Sequence, residues 1–277
     1  MKTIFFNIPA HGHINPTLPV IGEMIARGEQ VICVNTEDQR AAYEAVGAQF
    51  VAYPTVSGQE SLLERIGNDN LARMALILTQ TSERVLPWIF ALLDREQPDY
   101  VIYDSLVVWA KQAAEQRGIR AAASMTMFVI SRESRPPITP GLVLQLVAQM
   151  LPVLPRYWRI ARRMRRTLGV RPTGLLNTLS GIGNYHVLYT SRLFQPGGDR
   201  FGDEYDFVGP TIDGRVTTGA LPFALLPRQP IVYISLGTIR NQNLDFYRAC
   251  FDAFRDHPAQ FILSVGKRTD LAQLGPT

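Results

Sequence analysis

Apolar and polar positions alternate in blocks along the chain, and the blocks define elements. Residues 3–8, TIFFNI, form a short apolar run rich in strand formers. After Asn15 and Pro16 the period changes. Leu18, Ile21, Ile25 and Ala26 recur on one side of a predicted helix that ends at Gly28. VICVN (31–35), a helix over about 37–46 closed by Gly47, and QFVAY (49–53) repeat the sequence of strand, helix and strand. Asn15 reads as an N-cap, Pro16 as a first helical residue and the two glycines as stops. A mostly helical stretch follows to about residue 95, then the strand PDYVIYD (98–104), a helix to Gly118, and IRAAASM (119–125). HVLYTS (186–191) and YDFVG (205–209) are two further short strands. This alternation predicts an α/β domain with a parallel sheet covered by helices.

Composition shifts at 209–230, which is rich in Gly, Pro and Thr, and this stretch reads as a linker over 210–230. Beyond it IVYISLGT (231–238), a helix over about 243–256 and QFILSVG (260–266) make one βαβ unit. The expected organisation is therefore a domain over 1–209, a linker, and a second, incomplete Rossmann-like unit over 231–277. Two strands and one helix are too few to close a core.

Bulk numbers narrow the classes. With 46% apolar and 19% charged residues the chain can bury a sizeable core. A formal net charge of +4 is too small to imply a nucleic-acid partner. Cys33 and Cys250 are far apart and offer neither a disulfide framework nor zinc spacing, which suits a cytoplasmic location. No apolar run is long enough for an integral membrane span.

The chemistry concentrates at predicted strand ends, where ligands of open parallel sheets sit. His11 and His13 lie in the turn after the first strand, and Asp104 ends the strand PDYVIYD. A histidine beside a carboxylate is a general base with an orienting partner. A helix starting at Asn15 would point its positive end at this turn and favour the neutral imidazole. Other readings stand beside this one. Asp104 can simply cap the helix that follows, and His11-Gly12-His13 lacks further ligands for a metal. Gly181-Ile182-Gly183 and Gly266-Lys267 fail as phosphate motifs for want of the remaining glycines, which also argues against a Rossmann oxidoreductase.

Together the turn PAHGHINP, the helix ending in Ala26-Arg27-Gly28, the strand PDYVIYD and the block VYISLGT…GKRTD resemble the macrolide-type UDP-glycosyltransferases. The resemblance runs along the whole chain and is strongest at 8–28, 98–125 and 229–276. It implies the GT-B fold, with two facing Rossmann-like domains, acceptor-binding first and nucleotide-sugar-binding second. Carried over by position, the catalytic histidine is His13 and its partner Asp104. The implied reaction is inverting transfer of a hexose, glucose by expectation, from a UDP-sugar to a hydroxyl of a small lipophilic acceptor, with no metal or other cofactor. Ser235, Gly237 and Thr238, with Gly266, are implied near the donor diphosphate. His11, Trp88, Ser124, Met125 and Phe128 are candidates for the acceptor pocket, built from about 60–90 and 125–160. Relatives continue beyond GKRTD into a His-Gly-Gly phosphate grip. This chain is accordingly expected to be a truncated form, dimeric or completed by another polypeptide. The alternative is a small-molecule-binding acceptor domain without catalysis.

The stretch 156–171 holds seven arginines and no acid, with Tyr157, Ile160, Ala161, Met164 and Leu168 at helical spacing. Contact with anionic lipid or an acidic acceptor is one reading. The other, which the resemblance favours, is a solvated arginine face on a surface helix.

Overall fold

A computed structural model describes residues 1–54, 70–130, 139–174, 183–212, 229–237, 241–266 and 269–274. The chain divides into two compact units, Met1–Arg215 and Val216–Thr277. Most of the linker expected over 210–230 lies outside the described residues, as do 60–69, 131–138, Gly181, Thr238 and Lys267.

The first unit is built on a seven-stranded parallel sheet. Its strands are β1 (Lys2–Phe6), β2 (Gln30–Asn35), β3 (Gln49–Ala52), β4 (Tyr100–Asp104), β5 (Arg120–Met125), β6 (His186–Leu188) and β7 (Tyr205–Phe207). The spatial order is β3-β2-β1-β4-β5-β6-β7. The helices are α1 (His11–Ile14), α2 (Leu18–Ala26), α3 (Arg40–Glu44), α4 (Leu71–Glu96), α5 (Val108–Arg117), α6 (Pro140–Met150) and α7 (Leu154–Thr167).

Alternating side chains of the central strands feed two cores, as a sheet covered on both faces requires. Ile4, Phe6, Ile32 and Val34 join α4 and α5 in the larger cluster. Phe5, Val31 and Cys33 point the other way, to Ile14, Ile21 and Tyr43. The 26-residue α4 starts at Asn70, whose side chain accepts the Arg73 N–H at 2.9 Å. It stops at Gln97 in the left-handed conformation, φ 47°. Its Ala75, Leu78, Ser82, Val85, Ile89 and Leu92 face inward at spacings of three and four. Ser82 and Gln112 bond across to α5. No helix among the described residues is long and apolar enough to cross a membrane.

One sequence expectation is corrected here. The helix does not start at Asn15. His11–Ile14 is already a helical turn, and Asn15 closes it with its N–H on His11 O, 2.9 Å. The buried Thr17 hydroxyl donates to Ile14 O at 2.8 Å and accepts from Asn7 Nδ2 at 2.9 Å. This fixes the turn, and α2 restarts at Leu18 with Pro19 in its first turn. His13 therefore lies inside a helical turn rather than in front of a helix N-terminus, and the dipole argument does not apply to it.

The second unit contains β8 (Ile231–Ser235), α8 (Leu244–Phe254) and β9 (Gln260–Ser264). The two strands pair in parallel, and among the described residues neither pairs with another strand. Ile231, Val232 and Tyr233 are exposed on β8. Asn243 caps α8 by accepting the Phe246 N–H.

Candidate active site

In the sheet order β2-β1-β4, the chain leaves β1 toward one side and later returns on the other. The crevice between β1 and β4 is thus the topological switch point, where open α/β sheets bind ligands. α1 follows β1 directly, and Asp104 is the last residue of β4.

His13 and Asp104 meet there. His13 Nδ1 lies 2.6 Å from Asp104 Oδ2. Asp104 is fully buried, and His13 is 8% exposed. The other carboxylate oxygen, Oδ1, accepts the Leu106 N–H at 2.8 Å. A buried carboxylate with both oxygens engaged has one orientation available. It accepts Nδ1–H from the imidazole, which leaves the Nε2 lone pair as the basic site. Among the described residues Nε2 has no hydrogen-bond partner. Thr126, just past β5, brings Oγ1 to 2.8 Å from the same Nδ1. Sequence reasoning missed Thr126. Its signal is positional: it directly follows a strand that neighbours β4 in the sheet.

Under α1 lies a buried polar scaffold that the sequence reading also missed. Asn7 Nδ2 donates to Thr17 Oγ1 and to Tyr43 OH, and Asn35 Nδ2 donates to Tyr43 OH and to Ile8 O. Burial pushes the Tyr43 phenol above its ordinary pKa, so it stays neutral. Asn7 and Asn35 stand in matching positions, each closing an apolar strand run. That repeated polar end was the available signal.

The acceptor-side candidates separate. Phe128 is exposed, and its ring lies 5.4 Å from that of Phe194. Its loop is held by Gln195, whose amide accepts the Val129 N–H and donates to Val129 O, both at 3.1 Å. Ser124 is buried and bonded to Tyr189 OH at 3.0 Å. Burial raises the Tyr189 phenol to about 12. Met125 packs in the larger core. Trp88 packs against the same core, its ring 5.9 Å from Tyr53. His11 is exposed on α1. Among the described residues no three His, Cys, Asp or Glu side chains gather as a metal site.

No protein-family model matches the chain. It is 31% identical over 284 residues to the uncharacterized UDP-glucosyltransferase YdhE of Bacillus subtilis (strain 168), covering 99% of this chain and 68% of that protein. The chain belongs to the macrolide-type UDP-glycosyltransferases. It is also 30% identical over 286 residues to demethyllactenocin mycarosyltransferase of Streptomyces fradiae, covering 98% of this chain and 60% of the relative. A solved structure of the glycotransferase of kitacinnamycin superposes with a TM-score of 0.76 at 23% identity, over 97% of this chain and 66% of that one. That likeness shows the GT-B fold. The chain spans about two thirds of the length of these relatives.

Within this glycosyltransferase chain the second unit carries its own polar cluster. Gly237, after β8, has φ +78°, and its N–H lies 3.2 Å from Ser235 Oγ. Gly266, after β9, also has φ +78°. Asn241, which sequence reasoning passed over, joins the two turns. Its side chain donates to Gly237 O at 3.0 Å and lies where a Gly266 Cβ would be. Its own carbonyl accepts from Tyr247 OH at 2.8 Å. Ser235, Gly237 and Gly266 are thus gathered at one end of the β8–β9 pair.

Proposed function

We propose that the chain carries the acceptor side and the catalytic base of an inverting glycosyltransferase. It moves a hexose, glucose by expectation, from a UDP-sugar to a hydroxyl of a small lipophilic acceptor. The observation that carries this reading is the buried His13–Asp104 pair at the switch point, with Nε2 unengaged among the described residues. Nε2 takes the proton of the acceptor hydroxyl. The oxygen forms its bond to the anomeric carbon from the face opposite the nucleotide. The bond from that carbon to the diphosphate oxygen breaks, and UDP leaves with the electron pair. Asp104 and Thr126 hold the ring and stabilise the imidazolium that forms. Charge on the departing diphosphate is met by backbone N–H groups of the donor unit, with Ser235, Gly237, Thr238 and Gly266 as the residues assigned there.

An apolar acceptor suits the loop beside His13. Immediately after Thr126 come Met127, Phe128 and Ile130, which are 45%, 45% and 65% exposed. Side chains of this kind line small-molecule sites.

The test is transfer from UDP-glucose to a panel of phenolic and macrolide acceptors, run on the full gene product. Released UDP and the anomeric configuration of the product are measured. The expected result is an inverted linkage, with His13→Ala reducing kcat/KM by at least about 100-fold. Turnover by His13→Ala within tenfold of the parent would remove His13 from the reaction.

A further inference from the structure

Helix α7 has two opposed faces. Ile160, Ala161 and Met164 are buried, with Tyr157 and Leu168 packed beside them. At about 100° per residue, Trp158, Arg159, Arg162, Arg165 and Arg166 fall on the opposite arc, spanning about 120°. All five are exposed, and Trp158 is 67% exposed. Arg163, at the margin, pairs with Glu83. No hydrogen bond or ion pair engages Arg156, Arg159, Arg162, Arg165 or Arg166 among the described residues. The charge is also local. Without the seven arginines of 156–171 the formal charge of +4 becomes −3. Just before α7, Leu144, Val147 and Leu151 recur at spacings of three and four, and they are 71%, 45% and 61% exposed.

We propose that this face of α7 docks peripherally on an anionic lipid surface. The arginines meet headgroup phosphates. Trp158, amphipathic and unpacked, sits at the boundary between headgroups and acyl chains. A solvated arginine face accounts for the charge but leaves an exposed tryptophan at its edge unexplained. Nucleic acid would satisfy the charge, yet it offers no boundary between headgroups and acyl chains for the exposed Trp158. The docking is independent of the identity of the sugar acceptor.

The test is co-sedimentation of the whole chain with vesicles of phosphatidylcholine alone and with added phosphatidylglycerol. Tryptophan emission is followed in parallel. Trp109 is 2% exposed and Trp88 is packed on the core, so a shift on binding reports Trp158. Binding should require the anionic lipid, weaken with salt and shift the emission to the blue. The triple variant Arg159→Glu, Arg162→Glu, Arg166→Glu should lower partitioning by at least about 100-fold. The same charge change at the exposed Arg27, Arg73 and Arg255 should alter it by no more than about threefold. Trp158→Phe should abolish the blue shift. No binding to anionic vesicles at low salt overturns the proposal. So does equal loss in the two triple variants. Binding to duplex DNA or RNA at least as tight as to the vesicles, with no blue shift on vesicles, also overturns it.

Discussion

In the proposed reaction, replacing Asp104 with asparagine isolates the part of catalysis that depends on tautomer. The change keeps volume in a site with no exposed surface. It also keeps an oxygen for the Leu106 N–H, which Asp104 accepts at 2.8 Å. What changes is the atom facing His13 Nδ1, now an NH2 group in place of a carboxylate oxygen at 2.6 Å. The imidazole answers by moving its proton to Nε2, where a base needs a lone pair. Restoring the productive tautomer gives up a bond to a donor and regains no charge-assisted one, which costs about 1.5–3 kcal/mol. Losing carboxylate stabilisation of the imidazolium adds about 1.5–2 kcal/mol, for about 3–5 kcal/mol in all. That is a fall in kcat/KM of about 100- to 5,000-fold. Stability should fall by about 1–3 kcal/mol, because His13 Nδ1 can accept one N–H of the new amide and the other gains no acceptor among the described residues at this buried site. The assay pairs kcat/KM for transfer with the urea midpoint of the same preparation. Retention of more than about a tenth of the activity would refute the reasoning. So would a stability loss large enough to account for the missing turnover.

Three further outcomes are expected. Thr126→Val should cost about 3- to 10-fold in kcat/KM alone. In the Asp104→Asn background the Thr126 hydroxyl is the remaining acceptor for Nδ1–H whenever the ring visits its productive tautomer, so the change should cost more there; simple additivity in a double-mutant cycle would show that the two do not share that nitrogen. His186 is stacked on Tyr205 with ring centroids 4.2 Å apart, and burial holds its pKa below the ordinary value, partly offset by the Glu204 carbonyl. The unfolded chain therefore binds more protons, and stability falls as pH drops below about 6.5 toward the lowered folded value. His186→Phe should flatten the change in urea midpoint between pH 7.5 and 5.5, and parallel curves would contradict the assignment. Gly266→Ala puts a Cβ on a residue at φ +78° and into the Asn241 side chain. It should destabilise the second unit by about 1–3 kcal/mol, read by hydrogen exchange at β8 and β9.

Strand and helix positions were legible because their signals are local. Gly47 and Gly118 adopt φ of +87° and +65° where the pattern placed helix stops. The error at Asn15 arose because a local rule met a tertiary constraint. Asn-Pro is a good helix start, but Thr17 is held from below by Asn7, and Asn7 by Tyr43, 36 residues on. No window of sequence contains that bond. Thr126 and Asn241 were passed over for the same reason. Each meets a group distant in the chain, His13 for Thr126 and Gly266 for Asn241, and the positional signal at Thr126 becomes usable only once the strand order is known.

The pairing of His13 with Asp104 lies between these cases, and it shows what a fold adds to a motif. The two residues are 91 positions apart, and periodicity places each only at some strand end of a parallel sheet. They become neighbours because β4 adds beside β1 on the edge that β2 left open. The register then matters. Phe6 is level with Tyr103, so Asp104 projects one residue beyond the end of β1. That is the level at which the chain from β1 turns through residues 7–10 into α1. A strand order with β4 beside β3 would leave both residues intact and the dyad unmade. The proposed chemistry therefore depends on the crossover after β3, and substitutions that disturb β1–β4 pairing should lower transfer without touching either side chain of the dyad.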